Sequence, residues 1–218
     1  MSKKSGLPEM ITFDARSAFE KLLAVNVGDE KSKQCVKLLL ERYGSLATIF
    51  SEHEEEICRV CDVNMNTALL IKLLAYVSSR RVTDSFKFGC EHTELEIREY
   101  ISALFLGSSV ETVYLLLLDE RGRIMSTEFI SEGTVNASDI IPRKILEIAK
   151  KNKSKNIILA HSHPKGSVTP SRDDILTTGR LVSLFASVGV RLSAHYIVAD
   201  GEIGLIDADM IYDPDRRF

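Results

Sequence analysis

Asn156-Ile-Ile-Leu-Ala-His161-Ser-His163-Pro-Lys-Gly-Ser-Val-Thr-Pro-Ser171-Arg-Asp-Asp174 is the stretch on which the reading of this chain turns. It opens with a short continuous apolar run, the pattern of a strand buried on both faces. Side chains alternate along a strand, so His161 and His163 leave it on one face. Pro164 and Gly166 end the strand, Pro170-Ser171 opens a helix, and Asp174 falls in the first turn of that helix. Ser171 and Asp174 also have the spacing of a capping box. Two neutral imidazoles and one carboxylate form a donor set for a catalytic zinc, because three protein ligands leave a fourth tetrahedral position for water. The ion lowers the pKa of that water to about 7. A His-x-His pair alone is commonly a surface or hydrogen-bonded feature, and a cap alone is structural. The complete string, in which a helix start returns a carboxylate to the histidines, is what points to metal.

Working outward, the second half of the chain alternates strands and helices. Thr112-Val-Tyr-Leu-Leu-Leu-Leu-Asp119 reads as a buried strand, Glu120–Arg123 as a tight turn, and Ile124–Ile130 as its hairpin partner. A helix is expected over Ile140–Lys151 with Pro142 near its first turn. Another follows over Ser171–Val188, then strands over Val190–Val198 and Glu202–Ile206. The fold class expected is α/β.

The first half is different. Residues 1–13 read as a flexible arm and residues 14–82 as helical, ending near Arg80-Arg81. Residues 83–93 have no clear period and read as a linker, and 94–218 as the α/β part, opened by a helix over Glu94–Phe105. Between Asp14 and Val82 ten Lys/Arg balance ten Asp/Glu, and the whole 218-residue chain carries a net charge of −3. Neither half has the basic excess that phosphate neutralisation requires. The longest apolar runs are too short to span a bilayer. The N-terminus is polar with no apolar core of a leader, and four Cys in this length fit a reducing, cytoplasmic setting. Cys35 and Cys90 read as ordinary thiols, and Cys58-x-x-Cys61 as a lone pair without a second pair beside it. The acidic tail Asp207, Asp209, Asp213 and Asp215 reads as solvated.

His161-Ser-His163, seven residues, Ser171, two residues, Asp174 resembles the JAMM (MPN) metalloprotease motif without gap or substitution. Gly133-Thr-Val-Asn136, Pro142-Arg143, Ile158-Leu-Ala-His161, His163-Pro-x-Gly166, Thr169-Pro-Ser171 and His195-Tyr-Ile-Val198 resemble the bacterial RadC family. The resemblance is close from Glu94 to Ile211. It implies a cytidine-deaminase-like JAMM/MPN domain preceded by a small all-α helix-hairpin-helix domain. It also implies zinc held by His161, His163 and Asp174, with Ser171 donating to the oxyanion. An upstream Glu on the strand before Gly133-Thr134 is the implied general acid/base.

Glu128 and Glu132 both lie on that strand, on the same face by parity. Glu128 is preferred because a carboxylate inside an apolar strand is costly unless used, while Glu132 adjoins the Gly133 turn. The expected activity is hydrolysis of a peptide or isopeptide bond in a protein substrate that the sequence does not name. The alternative is a DNA-repair accessory that binds DNA weakly through the helical half, with a structural or vestigial metal site. Val25-Asn-Val-Gly28 and Val60-Cys-Asp62-Val-Asn64 resemble its hairpins, but Asp62-Val63-Asn64 stands where the second usually has Gly-x-Gly. Three further departures from the RadC pattern are Ser162 for Asn, Ala194 for the Asp before His195, and Gly204 for a Ser. If that Asp orients a group behind the metal ligands, Ala194 weakens the site. His195 itself reads equally as a structural strand histidine.

Overall fold

The computed structural model describes residues 14–133, 137–164 and 166–206, without the side chains of 137–141. The arm 1–13, Thr134–Asn136, Lys165 and the acidic residues from Asp207 onward lie outside the described residues.

Among the described residues five helices come first: α1 (Ala15–Val27), α2 (Asp29–Tyr43), α3 (Leu46–Ser51), α4 (Glu54–Cys61) and α5 (Met65–Ser85). Asp14, Ser45 and Asn64 cap α1, α3 and α5 by accepting from the N–H three residues on. Phe19, Leu23, Val36, Leu39, Ile49, Ile57 and Ile71 share one apolar cluster. Cys35, expected as an ordinary thiol, and Cys61, from the lone Cys58-x-x-Cys61 pair, are instead joined in a disulfide between α2 and α4, with Cα atoms 4.9 Å apart, within the normal span of such a bridge. Helix packing brings together two positions 26 residues apart. Cys58 and Cys90 are free.

Helix α5 continues beyond Arg81 to Ser85, although its last turns are polar. Tertiary contact holds them: Ser79 Oγ donates to the carbonyl of Ala103 at 2.6 Å. The residues that follow are packed as well, with the Phe86 ring stacked on His92 and Tyr100 at 4.1 and 4.0 Å.

The second half is a five-stranded mixed sheet in the order β2-β1-β3-β4-β5. Its strands are β1 (Thr112–Leu118), β2 (Ile124–Glu132), β3 (Asn156–Ser162), β4 (Arg191–Ala199) and β5 (Glu202–Ile206). Among the described residues only β3 and β4 pair in parallel. The α/β class expected from the alternating pattern holds. Helix α6 (Glu94–Phe105) covers one face, with Tyr100, Ile101 and Phe105 against Leu116, Ile158 and Tyr196. Helices α7 (Ala137–Lys151) and α8 (Arg172–Ser187) cover the other, with Ile145, Leu181 and Phe185 against Leu115, Leu117, Ile157 and Leu159. α7 begins three residues before the expected Ile140, so Pro142 lies inside it.

The crossover from β3 through α8 to β4 sets the N-terminus of α8 beside the C-terminal end of β3. That is the usual place for a ligand site in sheets of this kind. Asp200, in the β4–β5 turn, accepts from the hydroxyls of Ser45 and Thr48 at the start of α3. Among the described residues no helix is long and apolar enough to cross a membrane.

Candidate metal centre

His161 is the penultimate residue of β3, and His163 follows its end. The backbone N–H of His163 donates to the carbonyl of Val198 at 2.8 Å, which keeps the chain in register with β4 just past the strand. Gly166 then turns the loop back: a Cβ there would lie 2.9 Å from the Cβ of His163, closer than carbon atoms tolerate. The loop crosses β5 at Gly204, where any Cβ would run into the carbonyl oxygen of Val168. The absence of a side chain at 204 therefore lets the loop lie directly on the sheet edge.

Ser171 caps α8 and forms the expected box with Asp174. The Asp174 N–H donates to Ser171 Oγ at 3.1 Å, and Asp174 Oδ2 accepts from the Ser171 N–H at 2.8 Å and its hydroxyl at 2.6 Å. A negative charge in the first turn also suits the helix dipole. Burial opposes that charge, and the Ser171 hydroxyl and amide, which both donate to Oδ2, favour it.

The three side chains converge. The Nε2 atoms of His161 and His163 are 2.8 Å apart. Asp174 Oδ1 lies 3.2 Å from the first and Oδ2 3.5 Å from the second. The three side chains are 13–18% exposed, so the cluster opens to solvent. The outer nitrogen of His163, Nδ1, is 3.0 Å from the carbonyl of Ser167, which can only accept. Nδ1 of His163 therefore carries the proton, and its Nε2 offers a lone pair to the centre. A carboxylate and imidazole lone pairs facing one another at such spacing repel unless a cation lies between them. Ligand atoms of a tetrahedral zinc are about 3.3 Å apart for bonds near 2.05 Å. By donor type and spacing, these residues fit the ion.

A β-bulge separates the two candidate acids. Tyr114 pairs with Phe129 but Val113 pairs with Ser131, so Ile130 is an extra residue in β2. The bulge reverses the parity read from the sequence. Glu128 stands in a row with Leu115, Leu159 and His195, on the face that carries His161. Glu132 pairs with Thr112 on the opposite face, where its charge is felt by Tyr114. From ideal sheet spacings, the Glu128 and His161 Cα atoms are roughly 12 Å apart, two strands across and two residues along.

Two residues behind the candidate ligands were not singled out as members of the site. His195 is 4% exposed, and its Nε2 lies 2.8 Å from His161 Nδ1. Its Nδ1 lies 2.7 Å from Oγ1 of the fully buried Thr178. Burial first, and then the nearby His161, push the His195 pKa down to about 3. The pairing of β4 with β3 shifts register between Leu192 and Ala194, so parity alone does not give the face of His195, and Thr178 gives no local signal. Ala194 pairs with Ile158 and packs on the other face of the sheet, against the α6 side. An acid at 194 would project away from His195, so its loss does not bear on the site as expected.

Residues 92–207 match the RadC-like JAB domain. The chain belongs to the RadC family. A UPF0758 protein of Vibrio parahaemolyticus is 30% identical over 165 residues, covering 75% of this chain and 74% of that protein. A UPF0758 protein of Photobacterium profundum is 31% identical over 166 residues, with 76% and 74% covered. One from Vibrio cholerae is 30% identical over 167 residues, with 76% and 75% covered. None of these names states an activity.

Proposed function

We propose that this RadC family member is a zinc-dependent hydrolase of amide bonds, acting on a peptide or an isopeptide bond of a protein substrate. The observation that carries this reading is the convergence of His161 Nε2, His163 Nε2 and the Asp174 carboxylate at a solvent-facing strand end. When bound there, zinc supplies Lewis acidity toward the scissile carbonyl and acidifies a coordinated water.

The chain's own groups divide the remaining work. Ser171 holds Asp174 Oδ2 through two hydrogen bonds, which leaves Oδ1 as the ligand atom. Glu128, on the ligand face, accepts the proton of the attacking water on its carboxylate and returns it to the leaving amine. The Ser171 hydroxyl has one proton, which in this structure goes to Asp174. To stabilise a substrate oxyanion it turns that proton from the carboxylate to the substrate oxygen.

Electrostatics favour this reading over the DNA accessory. In the helical half Lys31 pairs with Asp62, Lys33 with Glu30, Lys37 with Glu41, and Arg42 and Arg59 with Glu56. Cations committed to neighbouring acids release few counterions from a phosphate backbone. The test is metal analysis of the purified chain without chelator. Wild type is expected to hold one equivalent of zinc, and His161→Ala and Asp174→Ala to lose it. A metal-free wild type under those conditions sinks the proposal. A panel of peptide and isopeptide substrates then identifies the bond cleaved.

A further inference from the structure

We propose that Thr178 and His195 are positioning residues that hold His161 as the Nδ1–H tautomer and so aim its Nε2 lone pair into the ligand cluster. The inference rests on the metal-site reading and extends it to two residues outside the ligand set.

The direction of each proton follows from the partners. Thr178 Oγ1 lies 2.5 Å from the backbone carbonyl of Asp174. Two oxygens that close need a proton between them, and the carbonyl has none, so the Thr178 hydroxyl donates there. Its single proton is then used, and the 2.7 Å contact with His195 Nδ1 requires the imidazole to donate. His195 is sealed in the interior, where a second ring proton would have no solvent to balance its charge. Its Nε2 therefore accepts. The group facing Nε2 at 2.8 Å is His161 Nδ1, which must be the donor. That leaves His161 Nε2 unprotonated, 2.8 Å from His163 Nε2 and 3.2 Å from Asp174 Oδ1.

The relay closes on itself. It begins at the main chain of Asp174 and ends at a second ligand beside the Asp174 side chain, so one turn of α8 sets the placement of the carboxylate and the tautomer of the histidine together. His163 has a separate, shorter device in the carbonyl of Ser167. Partners behind metal-bound histidines commonly tune affinity by about 10–100-fold.

The experiment uses the full chain with 15N-labelled histidine. Long-range 1H–15N spectra of zinc-free wild type at pH 8 are expected to show His161 and His195 as Nδ1–H tautomers. Thr178→Val is expected to shift His161 toward the Nε2–H form and to weaken zinc by about 10–100-fold in chelator competition. Thr178→Ser, which keeps the hydroxyl, should restore both. A purely packing role for Thr178 would leave the tautomer unmoved. An Nε2–H His161 in wild type overturns the relay without any variant needing to fold, as does an unchanged tautomer and zinc affinity in a folded Thr178→Val. If wild type shows the expected tautomers yet takes up no zinc, the relay stands and the metal reading fails.

Discussion

Ser171 and Asp174 hold each other at the start of α8: two donors from Ser171 occupy Asp174 Oδ2, and the Asp174 N–H returns to Ser171 Oγ. The cap thus fixes the helix and orients a candidate ligand. The two roles separate by mutation. Asp174→Asn keeps an oxygen able to accept from Ser171 but loses the charge, so it should melt near wild type and hold no zinc. Ser171→Ala should cost about 0.5–2 kcal/mol of stability, the usual range for losing a cap, and retain weakened zinc binding. Thermal melts and zinc stoichiometry on the same samples check both.

The bulge at Ile130 makes a sharp distinction between two acids four residues apart. Glu128→Gln should lower kcat by about 10²–10⁴-fold, the range for a lost general base, with zinc content unchanged. Glu132→Gln should leave kcat close to wild type, because its side chain belongs to the Tyr114 face of the sheet. Equal losses in the two variants would contradict the assignment.

Burial of neutral His195 predicts an acid-sensitive fold. The folded-state pKa is lowered from 6.5 to about 3. Between those values the unfolded chain takes a proton that the folded chain refuses, so stability rises with pH. This contribution is fully present above pH 6.5 and is lost as pH falls toward 3. Melting curves of zinc-free protein should decline below pH 6.5, and the decline should be shallower in His195→Gln. Parallel pH profiles for the two proteins would contradict this account.

Gly204 is where β5 touches the loop that carries the helix start. Gly204→Ser places a Cβ against the carbonyl oxygen of Val168. The expected cost is about 1–3 kcal/mol from overpacking, with weaker zinc binding as the loop leading to Ser171 is displaced. Denaturant midpoints and chelator competition measure the two effects.

The sequence by itself determined the His161–His163–Asp174 cluster and the class of the fold. His161 and His163 share a face because strands repeat every two residues, and Asp174 returns to them because a capping box is a local, short-range geometry. Both can be read from the fourteen consecutive letters His161 to Asp174. What the tertiary structure decided depends on pairing between distant segments. The face of Glu132 follows from one extra residue in β2, visible only when β2 is laid against β1. The last turns of α5 are helical because α6 supports them. The Cys35–Cys61 bridge needs the packing of α2 on α4. The relay through Thr178 and His195 joins positions 17 and 34 residues apart. Periodicity reports which way a side chain leaves its own strand or helix, and only packing reports what it meets there.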